Sequence, residues 1–177
     1  MILDGLLVFT GPSGTGDLPT TGTQNSSNVL DLGLVGLPAS ISGGGGGGAR
    51  DIGIGDDPAM KLLVQVLTAF TGGTSLQVAL QGAPDSGTGT PGAYTTMLTG
   101  PAVVEANLIA GSRILDDDMP RPVPGQAIPR YLRLSYITVG THTAGAIFGT
   151  IVLDRHDLPL QSNATLGGYP AGITVAN

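Results

Sequence analysis

Cysteine is absent from these 177 residues, so the chain can form neither a disulfide framework nor a thiolate metal site. A folded core must supply the stability. Tryptophan is absent too, and aromatic residues make up only 4%, which speaks against a sugar-binding module, because such sites usually display aromatic rings. Lysine and glutamate occur once each, as Lys61 and Glu105, against six arginines and twelve aspartates. Helix surfaces are normally built from Glu and Lys. Their scarcity, beside 30 glycines and 13 prolines, argues against any substantial helix and for strands joined by turns. No apolar run of about 18 residues occurs, so no membrane span is expected.

Charge of either sign is sparse: 11% of residues, against about 25% in ordinary soluble domains, while 41% are hydrophobic. A surface so weakly charged is poorly protected against association, and part of it is expected to be covered by another protein. The plainer alternative is a neutral Ser/Thr/Gly surface that is soluble alone. Arginine without lysine suits protein interfaces, where a planar guanidinium pairs with carboxylates or carbonyls. The net charge of −6, with no Lys/Arg run interleaved with aromatics, argues against direct nucleic-acid binding on electrostatic grounds.

The length is that of one domain, 1–177, able to bury about 70% of the surface its unfolded chain exposes. Strand-like runs recur with turn signals between them. Met1 to Phe9 has an apolar run without a basic flank and with Asp4 inside it, so it reads as a strand rather than a signal peptide. Asn28 to Leu32 follows a polar stretch. Met60 to Phe70 is apolar on both faces, which places it centrally in a sheet. Gly72-Gly73 then predicts a turn into Ser75 to Gln81, where Leu76, Val78 and Leu80 alternate with Ser75, Gln77 and Gln81. Further strands are expected over Ala93 to Leu98, Val103 to Ile109, Arg113 to Leu115, Tyr131 to Val139, Ala144 to Leu153 and Gly172 to Ala176. Gly140 to Thr143 has the length of a hairpin loop between two of these. Flexible loops are expected at about 11–27, 40–50, 82–92 and 116–129, the last because three aspartates and four prolines disfavour a central strand. The pattern predicts an all-β fold: an antiparallel β-sandwich of about eight strands whose long crossovers favour a jelly roll, with a β-barrel as the rival.

Motifs that carry chemistry are missing. Gly43 to Gly48 lacks the Gly-Lys-Ser/Thr ending of a phosphate-binding loop and reads as a glycine linker. Asp56-Asp57 and Asp116-Asp117-Asp118 have no calcium-loop spacing and read as solvated loop acids. His142 and His156 read as loop histidines, with no nucleophile elbow to complete a triad. They also form no His-x-His pair of the kind a cupin-like metal site would use. Asn25-Ser26-Ser27 and Asn163-Ala164-Thr165 match the glycosylation sequon and read as ordinary loops. No catalytic residue, metal ligand or cofactor is therefore expected.

Met1-Ile2-Leu3-Asp4, the segment Arg50-Asp51-Ile52-Gly53-Ile54-Gly55-Asp56-Asp57 and the ending Tyr169-Pro170-Ala171-Gly172-Ile173 together resemble the capsid cement proteins of tailed double-stranded DNA bacteriophages. The similarity runs along most of the chain, and the hexaglycine tract and the polar stretch Gly11 to Ser27 depart from it. The resemblance implies a jelly-roll decoration protein, often a homodimer, on the outer surface of the virion's capsid. There it bridges major capsid protein subunits, assembled in the bacterial host cytoplasm. It implies no enzyme activity, no direct nucleic-acid contact and no membrane. A tail or fibre-associated module recognising host glycans is the alternative. Because apolar chain ends must pair with something, the expected interface residues are Met1, Ile2, Leu3, Leu6, Val8 and Phe9 at one end and Tyr169, Pro170, Ile173 and Val175 at the other.

Overall fold

The alternation over Met60–Phe70 and Ser75–Gln81 does make strand, but without a turn between the two runs. In the computed structural model, residues 7–10, 16–33, 60–87, 89–120, 125 and 127–152 are described, and their strands form one antiparallel sheet. The strands are β1 (Gly22–Asn25), β2 (Leu30–Asp31), β3 (Lys61–Ala83), β4 (Thr95–Thr99), β5 (Val103–Val104), β6 (Arg113–Asp118) and β7 (Tyr131–Val152). The described residues contain no α-helix; a 3-10 turn spans Glu105–Asn107, in the segment expected to continue as strand. The all-β, antiparallel expectation holds. The pairings follow the order β1-β7-β3-β4, with β2 on β7 and with β5 and β6 on β3. They do not trace the two four-stranded sheets by which a jelly roll is recognised.

β3 and β7 pair along their whole lengths, from Lys61↔Val152 to Ala83↔Tyr131. A straight strand of 23 residues would span roughly 75 Å at about 3.3 Å per residue. This ribbon is folded over. The site of a Cβ on Gly149 lies 2.5 Å from Leu134 Cδ1, although a straight β7 would hold the two residues about 50 Å apart. Likewise the Cβ site of Gly100 lies 3.2 Å from both Leu115 Cδ1, on the strand beside Val64, and the Val78 carbonyl oxygen. The two halves of the ribbon thus face each other in a sandwich-like arrangement. Leu62, Val64 and Val66 from one half share a buried cluster with Leu76, Val78 and Leu80 from the other, joined by Leu132, Leu134, Tyr136, Ile147 and Ile151.

The fold-over occurs where the sequence suggested two hairpins. Gly72-Gly73 and Gly140–Thr143 lie opposite each other, with Gly73↔Gly140 in register, and the β3–β7 ladder shifts four times between Val66 and Ser75. Such irregularities bend a strand and increase its twist. Glycine is needed here because rings occupy the space of its side chain. The Phe70 ring packs on Gly145, whose Cβ site is 2.5 Å from Phe70 Cδ1, and the His142 ring covers Gly73. The two rings meet edge to face, 5.0 Å between centroids. Each strand therefore seats an aromatic ring on a glycine of the other.

β6 corrects a second expectation. Asp116, Asp117 and Asp118 are not loop acids but the end of a strand, paired with Leu63, Leu62 and Lys61. Pairing along the edge of β3 satisfies their backbone, and charged residues suit an edge strand because they discourage further pairing.

Candidate functional site

Most of the expected interface residues, Met1, Ile2, Leu3, Leu6, Tyr169, Pro170, Ile173 and Val175, lie outside the described residues, as do the hexaglycine tract, Asp56-Asp57 and His156. Val8 is half-buried and bridges Thr150 of β7. Phe9 faces inward: it is fully buried in the core, and its N–H donates to the Gly149 carbonyl at 2.9 Å. Its ring serves the chain's own interior.

The side chains expected to be solvated loop groups have structural partners. His142 is 1% exposed rather than a loop residue. Its backbone N–H donates to the Thr20 carbonyl, Nδ1 lies 3.3 Å from the Pro19 carbonyl oxygen, and Nε2 has no partner. Among the described residues no serine or carboxylate bonds to it. Asp116 pairs with Arg113 at 3.3 Å, and Asp118 pairs with Lys61. Strand geometry sends Asp117 to the opposite face from its two neighbours, which prevents the three from converging on one ion. Among the described residues no group of three or more His, Asp or Glu side chains is placed to hold a metal.

Three arrangements stand out instead. The first is a clasp on Arg130, just before β7. Its guanidinium donates to both carboxylate oxygens of Asp31, at 2.8 and 2.9 Å, and to Asp85. Hydrogen bonding to Asp31 is the main cause that raises its pKa above the ordinary value. Asp85 also accepts the Gly87 and Gly89 N–H groups, at 2.9 and 3.0 Å, and its carboxyl is held below the ordinary value, chiefly by Gly87. The guanidinium of Arg130 lies 4.9 Å from the Tyr131 ring centroid, and that of Arg133 lies 3.7 Å from that of Tyr94. Burial pushes both tyrosine pKa values up. The clasp ties β2 and the loop after β3 to the start of β7.

The second is the outward face of the sheet. Residues paired across strands share a face, so the register defines its rows. Val104, Ser75 and Val139 form one row, Gln77, Ile137 and Thr23 the next, then Thr99, Ala79, Ser135 and Asn25, then Thr96, Gln81 and Arg133. Arg133 is the single charge in these rows, and Tyr94 covers it. Val104, Ile137 and Val139 are exposed at 51%, 37% and 55%, whereas Ala79 and Ser135, at 2% each, are covered, so the open part of the face lies in the first two rows. The sequence held the signal for this face, since the alternation that buries Leu132, Leu134 and Tyr136 also turns Ile137 and Val139 outward once it is carried past Tyr136.

The third is an open groove of about 390 Å3 beside β1, lined by Asp17, Leu18, Pro19, Gln24, Asn25, Ser27 and Tyr136. Asp17 exchanges both backbone hydrogen bonds with Ile147 at 2.9 Å. Its Oδ2 accepts the Tyr136 hydroxyl at 2.9 Å and the Ser27 N–H at 3.0 Å. Burial, with the Asp17 charge beside it, drives the Tyr136 pKa far up, so this phenol stays a donor. No local sequence pattern could have found this pair.

The Bbp16 family model matches residues 18–151. The chain belongs to the Bbp16 family. The Bbp16 match takes in β1 to β6 and all but the last residue of β7, so it covers the folded ribbon, the clasp and the outer face. It begins one residue after Asp17. No curated protein matches the chain.

Proposed function

We propose that this chain is a virion structural protein, a capsid cement or decoration protein of a tailed double-stranded DNA bacteriophage. In this reading it binds the outer surface of the head as a homodimer and bridges major capsid protein subunits. The observation that carries the reading is the outward sheet face, whose rows hold neutral polar and aliphatic side chains and one covered charge. Such a face can be desolvated against another protein without stranding a charge. The resemblance of the segments 1–4, 50–57 and 169–173 to phage cement proteins adds the identity of the partner. Reinforcement is then a binding effect: many copies on one lattice multiply modest contacts, and the occupied shell is stabilised by mass action. Neither a cofactor nor a chemical step enters.

The test uses purified chain and heads of its phage stripped of it. The chain should co-sediment with the heads and raise their resistance to heat or chelator. Ile137→Lys, which adds a charge to the outward face, should fold normally and bind at least tenfold more weakly, since burying an unpaired charge at an interface costs about 2 kcal/mol or more. Absence of head binding by the wild-type chain, or glycan-array binding in its place, overturns the reading.

A further inference from the structure

We propose that the groove beside β1 receives a basic side chain of a partner protein, with Asp17 as its counter-ion. Both hydrogen bonds to the carboxylate fall on Oδ2, from Tyr136 and Ser27, so Oδ1 takes no bond. Among the described residues Asp17 has no ion pair, whereas Asp31, Asp85, Asp116 and Asp118 are each paired to an arginine or lysine. The position of this free oxygen is nonetheless fixed from two sides. The backbone is clamped to Ile147, and the hydroxyl that aims the carboxylate belongs to a tyrosine only 1% exposed. A charge held in place before its partner arrives loses little entropy on binding.

The other walls suit the rest of such a side chain. Leu18, 41% exposed, and Pro19 offer apolar surface to the methylene stem of an arginine or lysine. Asn25, also in the lining, carries an amide oxygen able to act as a second acceptor. The chain's net charge of −6 favours the approach of a cation. This inference deepens the shell-binding reading by naming what the partner presents at one point, but it stands whatever that partner is.

The test is an amide-resolved NMR titration of the full chain with N-acetyl-arginine amide and N-acetyl-lysine amide, with N-acetyl-citrulline amide as the uncharged isostere. The Ser27, Gln24 and Asn25 amide signals should shift saturably with the cationic probes and not with citrulline. In Asp17→Asn, which keeps an acceptor for Tyr136, binding should weaken about two- to fivefold, as expected for a partly exposed ion pair. Added salt should weaken binding to the wild-type chain in the same direction. No saturable shift in the wild type, an equal response to citrulline, or indifference to salt overturns the proposal. So does binding only after one of the chain's own arginines, Arg50, Arg121 or Arg155, is removed, because the groove would then be filled from within. Cationic probes that bind a chain unable to bind heads would refute the cement role and leave the groove assignment standing.

Discussion

Replacing Gly73 by alanine puts a methyl group where the His142 ring lies. The added Cβ would overlap Cδ2 and Nε2 and sit 2.8 Å from Cγ, whereas ordinary contact begins near 3.4 Å. The ring has little room to retreat. It is 1% exposed, Phe70 stands edge-on to it, and the Thr20 carbonyl holds its backbone. Overpacking of a closed site costs about 1–3 kcal/mol, and the extent of overlap places Gly73→Ala at the upper end, near 3 kcal/mol. For a chain of this size that lowers Tm by about 6–12 °C. His142→Ala alone opens a cavity but also removes an unpartnered buried nitrogen, whose burial is itself unfavourable by about 1–3 kcal/mol, so its net effect should be the smaller one. In the double variant the methyl enters space the ring has left, and about 2 kcal/mol of the loss should return as coupling. Urea unfolding of the four proteins measures this cycle. A Gly73→Ala chain within about 0.5 kcal/mol of wild type, or additivity in the double variant, would refute the interlocked-ring account of the bend.

Ser26, 8% exposed, accepts the Leu134 N–H at 3.0 Å and donates to the Asn28 carbonyl at 2.8 Å. Ser26→Ala leaves a buried donor unpaired and should lower stability by about 1–3 kcal/mol, read as a lower urea midpoint with an unchanged slope. The depressed Asp85 carboxyl gives a pH prediction. Its folded pKa lies below the unfolded value, so its contribution is fully present above the ordinary aspartate pKa of about 3.9 and is lost as pH falls through the folded value. Asp85→Asn should therefore be the less stable chain at neutral pH, with its thermal midpoint converging on wild type in acid. A gap that stays constant down to about pH 2 would assign the effect to packing instead.

What could be read in the sequence was what local pattern decides. The alternation of Leu76, Val78 and Leu80 gave a half-buried strand, and all three are fully buried. The two apolar faces of Met60–Phe70 gave a central strand, and β3 is paired on both sides. What failed was punctuation. Gly72-Gly73 and Gly140–Thr143 carry the composition of turns, and only the long-range pairing of Gly73 with Gly140 shows that both mark one bend in a continuous ribbon. The same composition made His142 look exposed, when a glycine far away in sequence makes room for its ring. Asp116 to Asp118 look like a solvated run until Lys61 and the edge of β3 are set beside them. The Asp17 groove depends on Tyr136, a contact no local pattern encodes.

Because β3 and β7 each run through both halves of the sandwich, neither half can melt alone without tearing the strands that build the other. Sandwiches whose layers are made of separate strands can open a layer, or peel an edge, as a sub-global unit. Here the amides near Val64 and Ile151 should exchange hydrogen with the same free energy as those near Val78 and Tyr136, as one cooperative unit spanning the molecule. Strain applied at one end of the ribbon is then borne by the whole fold.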